Sequence, residues 1–123
     1  MINEHRKVLV VDDSSTMRQL IKMMLVKCGS FDISEAVDGE DALEKIGGGQ
    51  FDLVLTDVNM PRMDGLDLVR NVRKSLSREL PMIIITTMGA EGDRDHGMQL
   101  GANAYITKPI SSTKLAETVK SLV

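Results

Sequence analysis

The chain reads as an α/β protein of five successive βα units, (βα)5, with helices on both faces of a parallel sheet. Three features carry this. Five candidate strands are spaced along the 123 residues. The runs Val8-Leu9-Val10-Val11, Leu53-Val54-Leu55 and Met82-Ile83-Ile84-Ile85 lack the alternation of a half-exposed strand, as expected for parallel strands buried on both faces. Each strand is followed by a segment with apolar residues at helical spacing, and the short connections imply right-handed crossovers.

Lys7 to Val11 is the first strand. Asp12-Asp13-Ser14-Ser15-Thr16 follows, with hydroxyls suited to cap a helix. That helix runs to about Cys28, with Met17, Leu20, Ile21, Met24 and Cys28 inward and Arg18, Lys22 and Lys27 on the other side. Gly29-Ser30 ends it. Phe31 to Ala36 is polar enough for an edge strand. Asp38 caps a second helix that buries Ala42, Leu43 and Ile46 and stops at Gly47-Gly48-Gly49. Phe51 to Thr56 is the third strand, and Asp57 lies just past it. Asp64 caps a third helix carrying Leu66, Val69, Val72 and Leu76, and Pro81 opens a fourth strand, Met82 to Thr86. Gly89, Gly92 and Gly97 each weaken a helix by about 1 kcal/mol relative to Ala, so a short, mobile fourth helix ending near Gly101 is expected. Ala104 to Thr107 is the fifth strand and Lys108-Pro109 a turn. Ser111 to Thr113 cap a last helix with Ala116, Val119 and Leu122 inward.

Length allows one domain, residues 1–123, with no visible repeat or linker. Net charge is -3 and the pI about 5.3, so no basic footprint argues for nucleic acid. No apolar run approaches the roughly 20 residues of a membrane span. The polar start MINEHRK leads straight into a strand and does not read as a signal peptide. The single cysteine, Cys28, reads as core filler and suits a reducing compartment, hence the cytoplasm. Phe31, Phe51 and Tyr105 are the only aromatics, little to stack a flavin or a base on. Most of the nine Met are expected to fill core gaps. His5 and His96 read as surface residues.

The chemistry lies at the strand ends. If the strands are parallel, Asp12-Asp13, Asp57, Thr86-Thr87 and Lys108 share one sheet edge, the edge where such sheets bind ligands. Taken singly, each has a plain reading. An Asp there caps a helix, Lys108 is solvated or ion-paired, Thr86 is an ordinary strand residue, and Tyr105 is a half-buried strand aromatic. Together the carboxylates repel, and a cation relieves them. All-oxygen ligands favour Mg2+ over Zn2+, and two carboxylates, a backbone carbonyl and waters suffice for it. Phosphate is the natural partner anion, with Lys108 and a Thr hydroxyl available for its oxygens.

The Asp12-Asp13 pair, Asp57-Val58-Asn59-Met60-Pro61, Met63-Asp64-Gly65, Thr86 and Lys108-Pro109 resemble the full signature of response-regulator receiver domains, most closely single-domain chemotaxis regulators, over essentially the whole chain. The resemblance implies a flavodoxin-like sheet of order 2-1-3-4-5. It implies that Asp57 is the phosphoacceptor, receiving a phosphoryl group from the phosphohistidine of a sensor histidine kinase (CheA-like). Asp13, Asp57 and the Asn59 main-chain carbonyl would bind Mg2+, with Asp12 acting largely through a coordinated water. Lys108 would contact one phosphoryl oxygen and Thr86 would move to contact another. Tyr105 would swing inward with Thr86, coupling the site to the face of the fourth helix, fifth strand and fifth helix. The Lys108–Pro109 peptide is expected to be cis.

Adjacent strand residues face opposite ways, so only one of Thr86 and Thr87 can serve. Ungapped alignment from Pro81 and from Lys108-Pro109 selects Thr86. Thr87 then stands where the family usually has a small residue, and Met88 and Asn59 flank the site's mouth, where such positions tune the phosphoryl lifetime. The glycine-rich fourth helix is a further departure, expected to order when Asp57 is phosphorylated.

The expected function is therefore a monomeric, cytoplasmic signalling switch. It catalyses its own phosphorylation and dephosphorylation, turns over no external substrate, and acts by contact with a downstream protein such as a flagellar motor switch protein. A phosphatase is a further expected partner; nucleic acid and membrane are not. A stand-alone phosphorelay receiver and the N-terminal receiver of a longer regulator are the alternatives. An aspartate-nucleophile phosphatase of the haloacid dehalogenase type needs a second Asp where this chain has Asn59, and a cap domain. An FMN carrier would set Asp12-Asp13 against the FMN phosphate.

Overall fold

The computed structural model describes residues 6–123. The reading of the polar MINEHRK start therefore falls largely, and that of His5 wholly, outside the described residues. The elements are β1 (Arg6–Val11), α1 (Ser15–Cys28), β2 (Phe31–Ala36), α2 (Gly39–Gly47), β3 (Leu53–Asp57), α3 (Gly65–Asn71) with a π-helical turn Val72–Leu76, β4 (Met82–Thr86), α4 (Glu91–Leu100), β5 (Ala104–Thr107) and α5 (Ser112–Leu122). The five strands form one parallel sheet of order β2-β1-β3-β4-β5. Both the fold class and the strand order are as expected, with the polar β2 at an edge.

The sheet separates two apolar layers. Val8, Val10, Leu53, Leu55, Ile83, Ile85 and Ile106 meet Ile21 and Leu25 of α1 and Leu115 and Val119 of α5. Leu9, Val11, Val54 and Ile84 meet Ala42 and Ile46 of α2 and Leu66 and Val69 of α3. Alternate strand residues thus face alternate layers, and the central strands have no polar face to spare.

The helix starts follow the capping rules. Ser14 Oγ accepts from the Met17 N–H at 3.2 Å, Asp38 Oδ1 from Asp41 at 2.8 Å, Asp64 Oδ1 from Asp67 at 2.8 Å, and Ser111 Oγ from Lys114 at 3.3 Å. Each satisfies a first-turn donor that the helix cannot pair itself.

Several expectations are corrected. β3 starts at Leu53, because the Asp52 N–H turns to the Lys7 carbonyl (2.7 Å) while Asp52 Oδ2 takes the Lys7 N–H (2.8 Å). Phe51 stays outside the strand, half-buried against the α2/α3 layer. Asp57 is the last residue of β3 rather than the first beyond it. Leu20 was expected inward but lies on the solvent side of α1, and Leu25 takes the core position. In the third helix the Ser77 N–H bonds to Val72 O at 2.7 Å, an i→i+5 closure that widens the last turn and leaves Leu76 exposed. Among the described residues, Met82 is the one methionine of the buried core, while Met23, Met88 and Met98 are exposed. Unbranched side chains fill gaps, but β-branched and Leu residues already close-pack the strands. The glycine-rich α4 is a helix of ten residues that packs against β4. Gly97 is the reason: a Cβ there would lie 2.4 Å from Ile84 Cδ1, so glycine lets the helix seat closely on β4.

Candidate functional site

Two strand ends, those of β1 and β3, deliver the acidic cluster. Asp12 follows β1, and its N–H continues the sheet by donating to the Ala36 carbonyl at 3.1 Å. Its side chain is buried. Oδ1 accepts the Ser14 N–H at 2.9 Å, while Oδ2 is buried with no partner. Asp13 is exposed next to it. Asp57, 5% exposed, ends β3. One ligand oxygen from each of Asp12, Asp13 and Asp57 lies within 4.8 Å of the others.

The loop after Asp57 is held tightly. The Gly65 N–H donates to Val58 O at 2.9 Å, and a Cβ on Gly65 would sit 2.2 Å from the Asp57 carbonyl oxygen. Only glycine permits that return of chain. Arg62 takes a left-handed φ of 66° and donates through Nε to Asp38 Oδ2 at 2.8 Å, tying the loop to the start of α2. The Gly39 N–H adds a bond to Met63 O at 2.9 Å.

Lys108 follows β5. Its N–H donates to Thr86 O at 2.8 Å, its peptide to Pro109 is cis, and its Nζ stands 3.3 Å from Asp57 Oδ1. Burial pushes the Asp57 carboxyl up, with Lys108 opposing and Asp13 reinforcing the rise. Asp12 is likewise raised, first by burial and then by Asp57, against its bond from Ser14. Thr86 is buried at the end of β4 and Thr87 is exposed, as opposite-facing neighbours must be. The Asn59 and Met88 side chains are exposed. Tyr105 is half-exposed on β5.

Sequence reasoning missed the contacts of three arginines here. Arg18 was placed on the outer side of α1, but its Nη1 donates to the Asp12 carbonyl at 2.7 Å and its Nε to Glu35 at 2.8 Å. Arg62 and Asp38 form the loop clasp, and the Arg94 guanidinium stands over the Tyr105 ring. The partners lie on different elements, so no local pattern in the sequence marked them.

The donor set fits Mg2+. A buried carboxylate oxygen without a hydrogen-bond partner is costly. Asp12 Oδ2 is such an atom, and it belongs to an all-oxygen set of three carboxylates, the kind of site a small hard cation takes.

The fold recurs in known structures. Chemotaxis protein CheY4 of Vibrio cholerae superposes with a TM-score of 0.87 at 33% identity, covering 98% of this chain and 100% of that one. The receiver domain of a sensor histidine kinase from Pseudomonas aeruginosa, which has a magnesium ion coordinated in its active-site cleft, gives 0.87 at 26% identity, covering 97% and 98%. A family model for the response regulator receiver domain matches residues 8–120. The chain belongs to this family. Among curated relatives, chemotaxis protein CheY-3 of Vibrio cholerae is 38% identical over 123 residues, 99% of this chain and 95% of that protein. Chemotaxis protein CheY1 of Helicobacter pylori is 44% identical over 116 residues, 93% and 94%. This receiver domain is thus CheY-like along nearly its whole length. Among the described residues, no helix is long and apolar enough to cross a membrane.

Proposed function

We propose that this receiver domain is a Mg2+-dependent phosphoacceptor switch whose acceptor is Asp57. The observation that carries this is the Asp57 carboxylate, buried at the end of a central strand, with Lys108 Nζ at 3.3 Å and two further carboxylates clustered around it. An Asp57 oxygen attacks the phosphorus of a phosphohistidine, a P–O bond forms, the P–N bond breaks, and the imidazole leaves with the electron pair. Lys108 balances charge on the phosphoryl oxygens, and the buried strand end fixes the attacking oxygen. Asp13, Asp57 and the Asn59 carbonyl, with Asp12 behind them, would hold Mg2+, which would neutralise charge on the transferring group.

Thr86, buried beside Lys108 through the Lys108 N–H···O bond, is the further phosphoryl contact. Output passes to the face of α4, β5 and α5, where Tyr105 and Met98 are exposed. The likeness to chemotaxis proteins supports a role in chemotaxis; within this reading the donor is a sensor histidine kinase, the target a flagellar motor switch protein and the compartment the cytoplasm. The chain drives its own phosphorylation and dephosphorylation and turns over no external substrate.

The test is intact mass after incubation with Mg2+ and acetyl phosphate. One base-labile phosphoryl adduct is expected, absent in Asp57→Asn and absent when the metal is chelated. An adduct that persists in Asp57→Asn would refute the assignment.

A further inference from the structure

The junction of β4, α4 and β5 holds a contact that phosphoacceptor chemistry does not require. Arg94, in the first turn of α4, places its guanidinium carbon 5.1 Å from the centroid of the Tyr105 ring, within the range at which a cation is drawn to an aromatic face. The ring is otherwise lightly held, 38% exposed on β5. The arginine's other charged contact is Asp95, with Nε 3.3 Å from Oδ1, an exposed carboxylate that does not anchor it in the core. A recess of about 90 Å3 opens beside the same arginine, lined also by Thr86 and Thr107. Thr107 is two residues from Tyr105 and so faces the same side of the sheet, and it pairs with Thr86. The ring therefore has a second place to go, one residue pair along β5, and Arg94 borders both positions.

We propose that Arg94 is a positioning residue that clamps the Tyr105 ring outward at rest and keeps it out of the recess beside Thr86. The proposal rests on the reading of Asp57 as phosphoacceptor, because occupancy of that site is what works against the clamp. The arginine is specific chemistry: an apolar side chain of equal length could still pack on the ring but would not supply the cation.

The chain has one tyrosine and no tryptophan, so its intrinsic fluorescence reports Tyr105 alone. Acrylamide quenching is measured on the full chain as wild type, Arg94→Met and Arg94→Lys, each with and without Mg2+ and beryllofluoride. Methionine keeps length and helix propensity without the charge; lysine keeps the charge. The clamp predicts about twofold weaker quenching in ligand-free Arg94→Met than in wild type as the ring population moves inward, with Arg94→Lys close to wild type. Beryllofluoride is expected to weaken quenching in wild type and to add little in Arg94→Met. An arginine that merely covers the ring gives the opposite sign, stronger quenching in Arg94→Met, and overturns the proposal. Unchanged quenching, or an equal response to beryllofluoride in all three proteins, overturns it as well. Bound beryllofluoride is followed separately by its 19F resonance. Wild type that binds none fails the Asp57 reading, while the ligand-free comparison still decides the clamp.

Discussion

Asp12 is buried, its neighbours Asp13 and Asp57 carry its own sign, and its Oδ2 has no partner. Such a residue is expensive in the absence of a cation. Asp12→Asn should therefore stabilise the metal-free protein, by about 1 kcal/mol, read as a higher urea midpoint with unchanged slope. A lower midpoint would mean that the carboxylate serves a structural role. Glu35 shows the opposite balance. Bonds from Lys22 and Arg18 hold its carboxyl below the usual range, so its folded pKa lies under its unfolded value. Its stabilisation is then fully present above the unfolded pKa, about 4.3, and is lost as pH falls through the lower folded value. Wild type should exceed Glu35→Gln in urea midpoint at pH 7, and the gap should close by about pH 3. At this scale the acidic cluster and Lys108 were legible in the sequence, because backbone alternation alone puts strand ends on one edge. Arg18 was not. Helical spacing gave its side of α1 but not the reach of its guanidinium to the Asp12 carbonyl.

The helices carry the next lesson. In α4, a Cβ on Gly92 meets nothing within 4 Å, whereas one on Gly97 meets Ile84 at 2.4 Å and Leu66 at 3.1 Å. Gly92→Ala should raise stability by about 1 kcal/mol through helix propensity. Gly97→Ala should lower it, because Ile84 must leave its rotamer or the helix must lift from β4. Thermal unfolding of the two variants checks this, and equal shifts would show that α4 is not packed as described. Composition alone treats the two glycines as equal breakers and does not tell the exposed one from the packed one. The third helix differs for a related reason. Periodicity extrapolated an α-helix through Leu76, but the i→i+5 closure at Ser77 rotates that residue to solvent. Caps, by contrast, were readable: Asp38, Asp64 and Ser111 precede their helices in sequence and bond to the next turn in space.

For the whole molecule, the site and the sheet are one object, since the site is the C-terminal edge of β1, β3, β4 and β5. A ligand that binds only the folded chain must stabilise all of it. Mg2+ should raise the unfolding midpoint in a concentration-dependent way, by about 2.7 kcal/mol at a hundredfold excess over its dissociation constant. Asp13→Asn should remove most of that gain, and a gain that survives would place the metal elsewhere. The sequence by itself determined the alternation of strands and helices, the parallel sheet and the residues at its active edge, because these follow from local periodicity, capping and the direction of travel. Its likeness to receiver domains supplied the strand order and the partner chemistry. Tertiary structure alone decided which leucines face the core, why Gly65 and Gly97 admit no side chain, and that Arg62 meets Asp38 and Arg94 meets Tyr105. Those facts depend on distances between segments far apart in the chain, which no local pattern encodes.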